Sequence, residues 1–156
     1  MPDLFGPTPA EQPGRMLKAL SVRQPWACGL LYLGKPVENR TWRTEFRGRV
    51  LLHAAKAEPD EIEIESVRQL GAAAIARLRE ECAETGDHFD FPQLLDRGGI
   101  IGSIEIFDCV THCPSPWFVG PYGFLCRDPR PLPFTPFRGQ LGFLDVPAEA
   151  VKGLDF

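Results

Sequence analysis

The stretch GKPVENRTWRTEFRG, residues 34–48, decides how the chain is read, because it gathers Lys35, Arg40, Arg43 and Arg47 around Glu38 and Glu45 in a protein that is acidic overall. A solvated charged loop would scatter such residues among small polar ones. Here they are threaded with Val37, Trp42 and Phe46, a pattern that predicts a strand and a turn presenting charge from an ordered surface. Glu38, Arg40 and Trp42 fall on one face of that strand at period two, with Lys35 at its start. A carboxylate, a guanidinium and an indole so placed can hold a base edge, a phosphate and a base face. The competing reading is a structural ion pair between Glu38 and Arg40 beside a core tryptophan.

Upstream, LKALSV (17–22) has strand character, and QPWACGLLYLG (24–34) predicts a short helix with Ser21 or Gln24 at its start, Pro25 in its first turn and Gly34 as its stop. Trp26, Leu30 and Leu33 share the buried face of that helix. Ser21, Arg23 and Gln24 then lie where strand hands over to helix, a place where backbone N–H groups can meet an anion and Arg23 can hold a phosphate. Plain helix capping is the alternative for Ser21 and Gln24.

Downstream, RGRVLLHAA (47–55) predicts a largely buried strand, paired with the first charged strand as a hairpin. From Pro59 to about Ala83, Ile64, Val67, Gly71, Ala74, Leu78 and Cys82 recur at spacings of three and four, which predicts one amphipathic helix with Glu61, Glu65, Arg68, Arg77 and Glu81 outside. IIGSIEIFDCVTH (100–112) reads as a central strand, YGFLC (122–126) as a short one, RDPRPLPFTPFRGQ (127–140) as an irregular connection and LGFLDV (141–146) as a closing strand. The two FRG triplets, 46–48 and 137–139, read as turns in which glycine takes positive φ, with arginines that can flank a cleft. Phe134 and Phe137 read as a barrel lid. His53 ends an apolar strand, as a core histidine or a proton carrier; His88 and His112 have weaker contexts.

Together, LSVRQPWA (20–27), GKPVENRTWRTEFRGRVLLHAAK (34–56) and GPYGFLCRDPRPLPFTPFRGQLGFLDV (120–146) resemble the ASCH (activating signal cointegrator homology) family, over about Leu17 to Val146. The family signature, G-x-K-x-x-E-x-R, is matched at Lys35, Glu38 and Arg40, whereas the glycine falls one position late, at Gly34, with Leu33 in its place. The resemblance implies an α+β fold: a small mixed β-barrel related to the PUA domain, with helices at its rim and a cleft between the barrel and the first helix. It also implies binding of single-stranded RNA, a nucleotide or a modified nucleoside in that cleft. The binding set implied by motif and spacing is Ser21, Arg23, Gln24, Lys35, Glu38, Arg40, Trp42 and Arg47. Some small relatives resemble amidohydrolases acting on modified cytidines, and in an enzyme Lys35 and Glu38 would be the catalytic pair. Those relatives carry a threonine three positions after the lysine, where this chain has Glu38. A third class of function is an adaptor that recruits another protein through the Pro-rich 113–136 region.

The remaining sequence sets bounds. A chain of 156 residues, 44% hydrophobic and 24% charged, fits one globular domain, here 16–156 after a flexible arm over 1–15. No apolar stretch is long enough for a membrane span and residues 1–15 lack a signal pattern, so a cytoplasmic protein with no membrane partner is expected. Cys28, Cys82, Cys109, Cys113 and Cys126 form no CxxC pair, which predicts reduced thiols, no metal and no cofactor. Net charge is −4, but residues 15–56 carry +7 and the rest −11. That partition predicts either one positive surface around the cleft or pairing with the acidic helix.

Overall fold

The computed structural model describes residues 14–87, 89, 91 and 95–154. The arm expected over 1–15 lies outside the described residues except for its last two positions, as does His88. The strands are β1 (Met16–Val22), β2 (Val37–Arg40), β3 (Gly48–Ala54), β4 (Gly99–Val110), β5 (Tyr122–Pro136) and β6 (Phe143–Pro147); the helices are α1 (Trp26–Tyr32), α2 (Glu61–Leu70) and α3 (Ala72–Glu84). They form the mixed α+β architecture expected of a small PUA-like barrel. One six-stranded sheet runs β2-β5-β4-β3-β1-β6, antiparallel except for the β1–β3 pair. The sheet curls far enough that Phe124 of β5 and Phe143 of β6, with three strands between them in the order, stack at 6.3 Å.

Alternation along the strands sends side chains to two separate cores. Leu20, Val22, Val50, Leu52, Ile104, Ile106 and Phe124 fill the inside of the curl, closed by Ala27, Leu30 and Leu31 of α1. Leu17, Ala19, Leu51, Leu144 and Val146 face the other way and are covered by Ala148 and Val151. Strand β3 is therefore buried on both faces, which is why VLL is an unbroken apolar run. The opposite side of α1 packs Cys28 and Leu33 against Val67, Ala74 and Ile75 of α2 and α3 and against Trp117.

Four expectations are corrected. The β2 and β3 strands do not form a hairpin: β3 has both edges occupied, by β1 and β4, so β2 pairs with β5, Glu38 opposite Phe124 and Arg40 opposite Tyr122. The long helix is two, broken at Gly71, where a Cβ would stand 3.0 Å from Val67 O and 3.1 Å from Leu33 Cδ1. Residues 127–136 continue β5, paired with β4 through shifts of register. Because β2 reaches only Leu125, the outer edge of that half-strand has no strand neighbour among the described residues, and prolines there forfeit no ladder bond to one. Finally, Gly48 does take positive φ, +127°, whereas Gly139 is needed for space: a Cβ would fall 2.2 Å from His53 Cε1.

The charge partition also resolves locally. Among the described residues, at least seven of the nine basic residues of 15–56 have a carboxylate partner: Lys18 with Asp145, Arg23 with Glu63, Lys35 and Arg40 with Glu38, Arg43 with Glu45, Arg47 with Asp108 and Arg49 with Asp128. Only Glu63 of these partners belongs to the acidic helices, so neither a bare positive surface nor wholesale pairing with the helix describes the molecule. No helix among the described residues is long and apolar enough to cross a membrane.

Candidate functional site

Helix α1 ends as Gly34 turns the chain at φ +72°, and the Lys35 N–H returns to Gly29 O at 3.0 Å. The Lys35 stem then lies along Gly29, whose missing side chain makes room: a Cβ would meet Lys35 Cδ at 3.3 Å. This routing carries the ammonium under the Trp26 ring, 5.2 Å from its centroid, and to Glu38 Oε1 at 2.7 Å. The second Glu38 oxygen takes Arg40 Nη2 at 3.1 Å, and the same nitrogen donates to Ser21 O at 2.7 Å, joining the end of β2 to the end of β1. The Lys35 and Glu38 side chains are 1% and 7% exposed, so this is a buried, hydrogen-bonded pair and not a surface contact. Burial raises the pKa of the Glu38 carboxyl. The charges of Lys35 and Arg40 and their hydrogen bonds outweigh it and hold the group below the usual carboxylate range.

Above this trio lies a cleft of about 490 Å³ between the sheet and α1, walled by all three tryptophans of the protein, Trp26, Trp42 and Trp117. Trp42 follows the end of β2 in a bend instead of sitting within the strand, and is braced edge-on by Phe124 at 5.2 Å and Phe143 at 5.7 Å. Trp117 belongs to a loop held by Asn39. Its amide donates to Trp117 O at 3.0 Å while its Oδ1 accepts from the N–H groups of Val119 and Gly120 at 2.9 and 3.1 Å. At the mouth, Arg23 pairs with Glu63 of α2 at 2.6 Å.

Of the residues singled out from sequence, Ser21, Arg23, Lys35, Glu38, Arg40 and Trp42 line this one cleft. Gln24 does not: it is fully buried, its Oε1 accepting from Cys28 N–H and its Nε2 donating to Asp96 O, both at 2.9 Å. Arg47 points elsewhere, donating to Thr44 O and Phe46 O with its other nitrogen 3.6 Å from Asp108. His53 is a core histidine, 2% exposed, with Nε2–H donating to Phe137 O at 2.8 Å and Nδ1 3.1 Å from Ser21 Oγ. Three contributors were missed: Trp26, assigned to the core by its helical spacing, Trp117, read as loop, and Asn39, which points away from the face that carries Glu38 and Arg40. All five cysteines are free, and burial pushes the Cys28 and Cys126 thiols up to about 12.

Barrel, helix and charged trio together have the architecture of a small PUA-like barrel and are in keeping with an ASCH-type domain. The chain is similar to human activating signal cointegrator 1, the protein whose name that family carries, at 29% identity over 121 residues, covering 72% of this chain and 19% of the human protein. It is 32% identical to mouse activating signal cointegrator 1 over 93 residues, 60% of this chain and 14% of the mouse protein. The chain thus corresponds to a small part of these relatives, and the match supports the ASCH relationship. No protein-family model matches the chain.

Proposed function

We propose that the cleft is a recognition site for a base of single-stranded RNA, or for a nucleotide or modified nucleoside. The observation that carries this reading is the convergence of all three tryptophans on one cleft whose floor is the buried Lys35–Glu38–Arg40 trio. Indole faces stack on any base, and a guanidinium supplies an edge contact. The volume falls within the range of small-ligand sites and suits one base better than a run of them. The ASCH relationship is consistent with a nucleic-acid partner in general. Recognition is favoured over hydrolysis because Glu38 accepts from two cations and is held ionised, which suits a fixed scaffold and not a proton shuttle. An adaptor role for the Pro-rich region loses ground, since much of that region is β5 and Pro116, Trp117, Val119 and Gly120 wall the cleft.

Titration of intrinsic tryptophan fluorescence with short single-stranded RNAs and with nucleosides tests the proposal. Saturable quenching is expected, weakened by about 1–3 kcal/mol in Trp42→Ala, with no product in the same mixtures. Unchanged fluorescence and no binding across the panel would reject it, and turnover of a nucleoside would put hydrolysis in its place.

A further inference from the structure

Among the described residues the cleft is lined by three cations, Arg23, Lys35 and Arg40, and two of them are committed inside the protein. Lys35 is buried against Glu38 and Trp26, and Arg40, largely buried, holds Glu38 and the Ser21 carbonyl. Arg23 differs: its side chain is 53% exposed at the mouth, and its ion-pair partner there is Glu63 of α2, at 2.6 Å. Asp60 and Glu61 of the same helical turn form no ion pair with it among the described residues. Glu63 does not depend on Arg23 for its own stability, because it lies in the first turn of α2, where the helix dipole favours a carboxylate. An ion pair this exposed costs little to open.

Resting on the base-recognition reading above, we infer that Arg23 receives the phosphate of a bound nucleotide and that Glu63 opposes it, so that Glu63 sets how far the cleft prefers a nucleotide to a nucleoside. A base held among the tryptophans leaves its phosphate at the solvent side, and Arg23 is the cleft-lining cation exposed on that side. A guanidinium binds phosphate oxygens through charge-assisted, often paired hydrogen bonds. Glu63 works against this contact in two ways: it already engages Arg23 Nη2, and its charge stands close to any anion that meets the same guanidinium. A neutral nucleoside has no anion to place there and is indifferent to the pair.

Fluorescence titration of the full chain with uridine and with uridine monophosphate, at low and at physiological salt, tests the assignment. Glu63→Gln should tighten uridine monophosphate about three- to tenfold at low salt and by less at physiological salt, while uridine affinity stays the same. Adding Arg23→Ala to Glu63→Gln should cancel that gain, since the gain acts through the guanidinium. Glu61→Gln removes the same charge from the same turn, away from the ion pair, and should give a smaller gain. With uridine binding intact, each of four results overturns the inference and leaves the base-recognition reading standing: unmoved uridine monophosphate affinity in Glu63→Gln, a gain that uridine shares equally, a gain that survives loss of Arg23, or a gain that Glu61→Gln matches. Binding of neither ligand overturns both.

Discussion

Glu38 sits at the junction of β1, β2 and α1 with two cations on its two oxygens, so its ionised form is worth more in the folded protein than in the unfolded chain. A carboxyl depressed in this way contributes stability that is present above its unfolded pKa of about 4.3 and is lost as pH falls through the lower folded value. The wild-type melting temperature should therefore decline as pH is taken from neutral to about 3. Glu38→Gln should remove the part of that decline due to this group, and at neutral pH should cost about 3–5 kcal/mol in urea denaturation because two buried cations lose their counter-charge. A variant with wild-type stability at neutral pH would show that the trio is solvated and weak. At this scale the sequence was informative where chemistry is short-range: Lys35, Glu38 and Arg40 lie within six positions and meet as the spacing suggested. Trp26 and Asn39 escaped because helical or strand period places a side chain on a face without revealing which neighbour covers that face.

Among the elements, the loop carrying Trp117 is the wall of the cleft with the least secondary structure, and Asn39 of β2 holds it through three hydrogen bonds. Asn39→Ala should lower global stability by about 1–3 kcal/mol. It should also speed hydrogen exchange at the Val119 and Gly120 amides well beyond that global change. Equal slowing factors at those amides in both proteins would mean the loop is held by something other than Asn39. Element types were readable from periodicity, but pairing was not. The hairpin assigned to β2 and β3 rested on nearness in sequence, and β3 instead takes β1 and β4 on its two edges, a choice made by burial on both faces. The helix break at Gly71 and the Pro-bearing half of β5 depend on Leu33 and on where β2 ends, facts of tertiary structure that no local window contains.

For the whole molecule, the PUA-like barrel and its cleft beside α1 were legible because three separated motifs pointed to one architecture, while the electrostatics were not, since pairing partners such as Asp128, Asp145 and Glu63 come from distant segments. With most cations of 15–56 already paired, few counterions are available for release on binding. Affinity for a short single-stranded RNA should fall only gently between low and physiological salt, with a logarithmic slope near −0.7, about one phosphate's worth. A slope several times steeper would mean that a phosphate-tracking surface, and not the cleft, dominates binding. The central claim is that ligand enters the cleft walled by Trp26, Trp42 and Trp117, and because these are the only tryptophans in the sequence, indole resonances report on nothing else. Titrating the ¹⁵N-labelled protein with uridine monophosphate and following the three indole N–H signals by NMR is the most direct measurement. The account predicts that all three shift together and saturate at one affinity; saturable shifts confined to backbone amides elsewhere, with the indole signals unmoved, would contradict it.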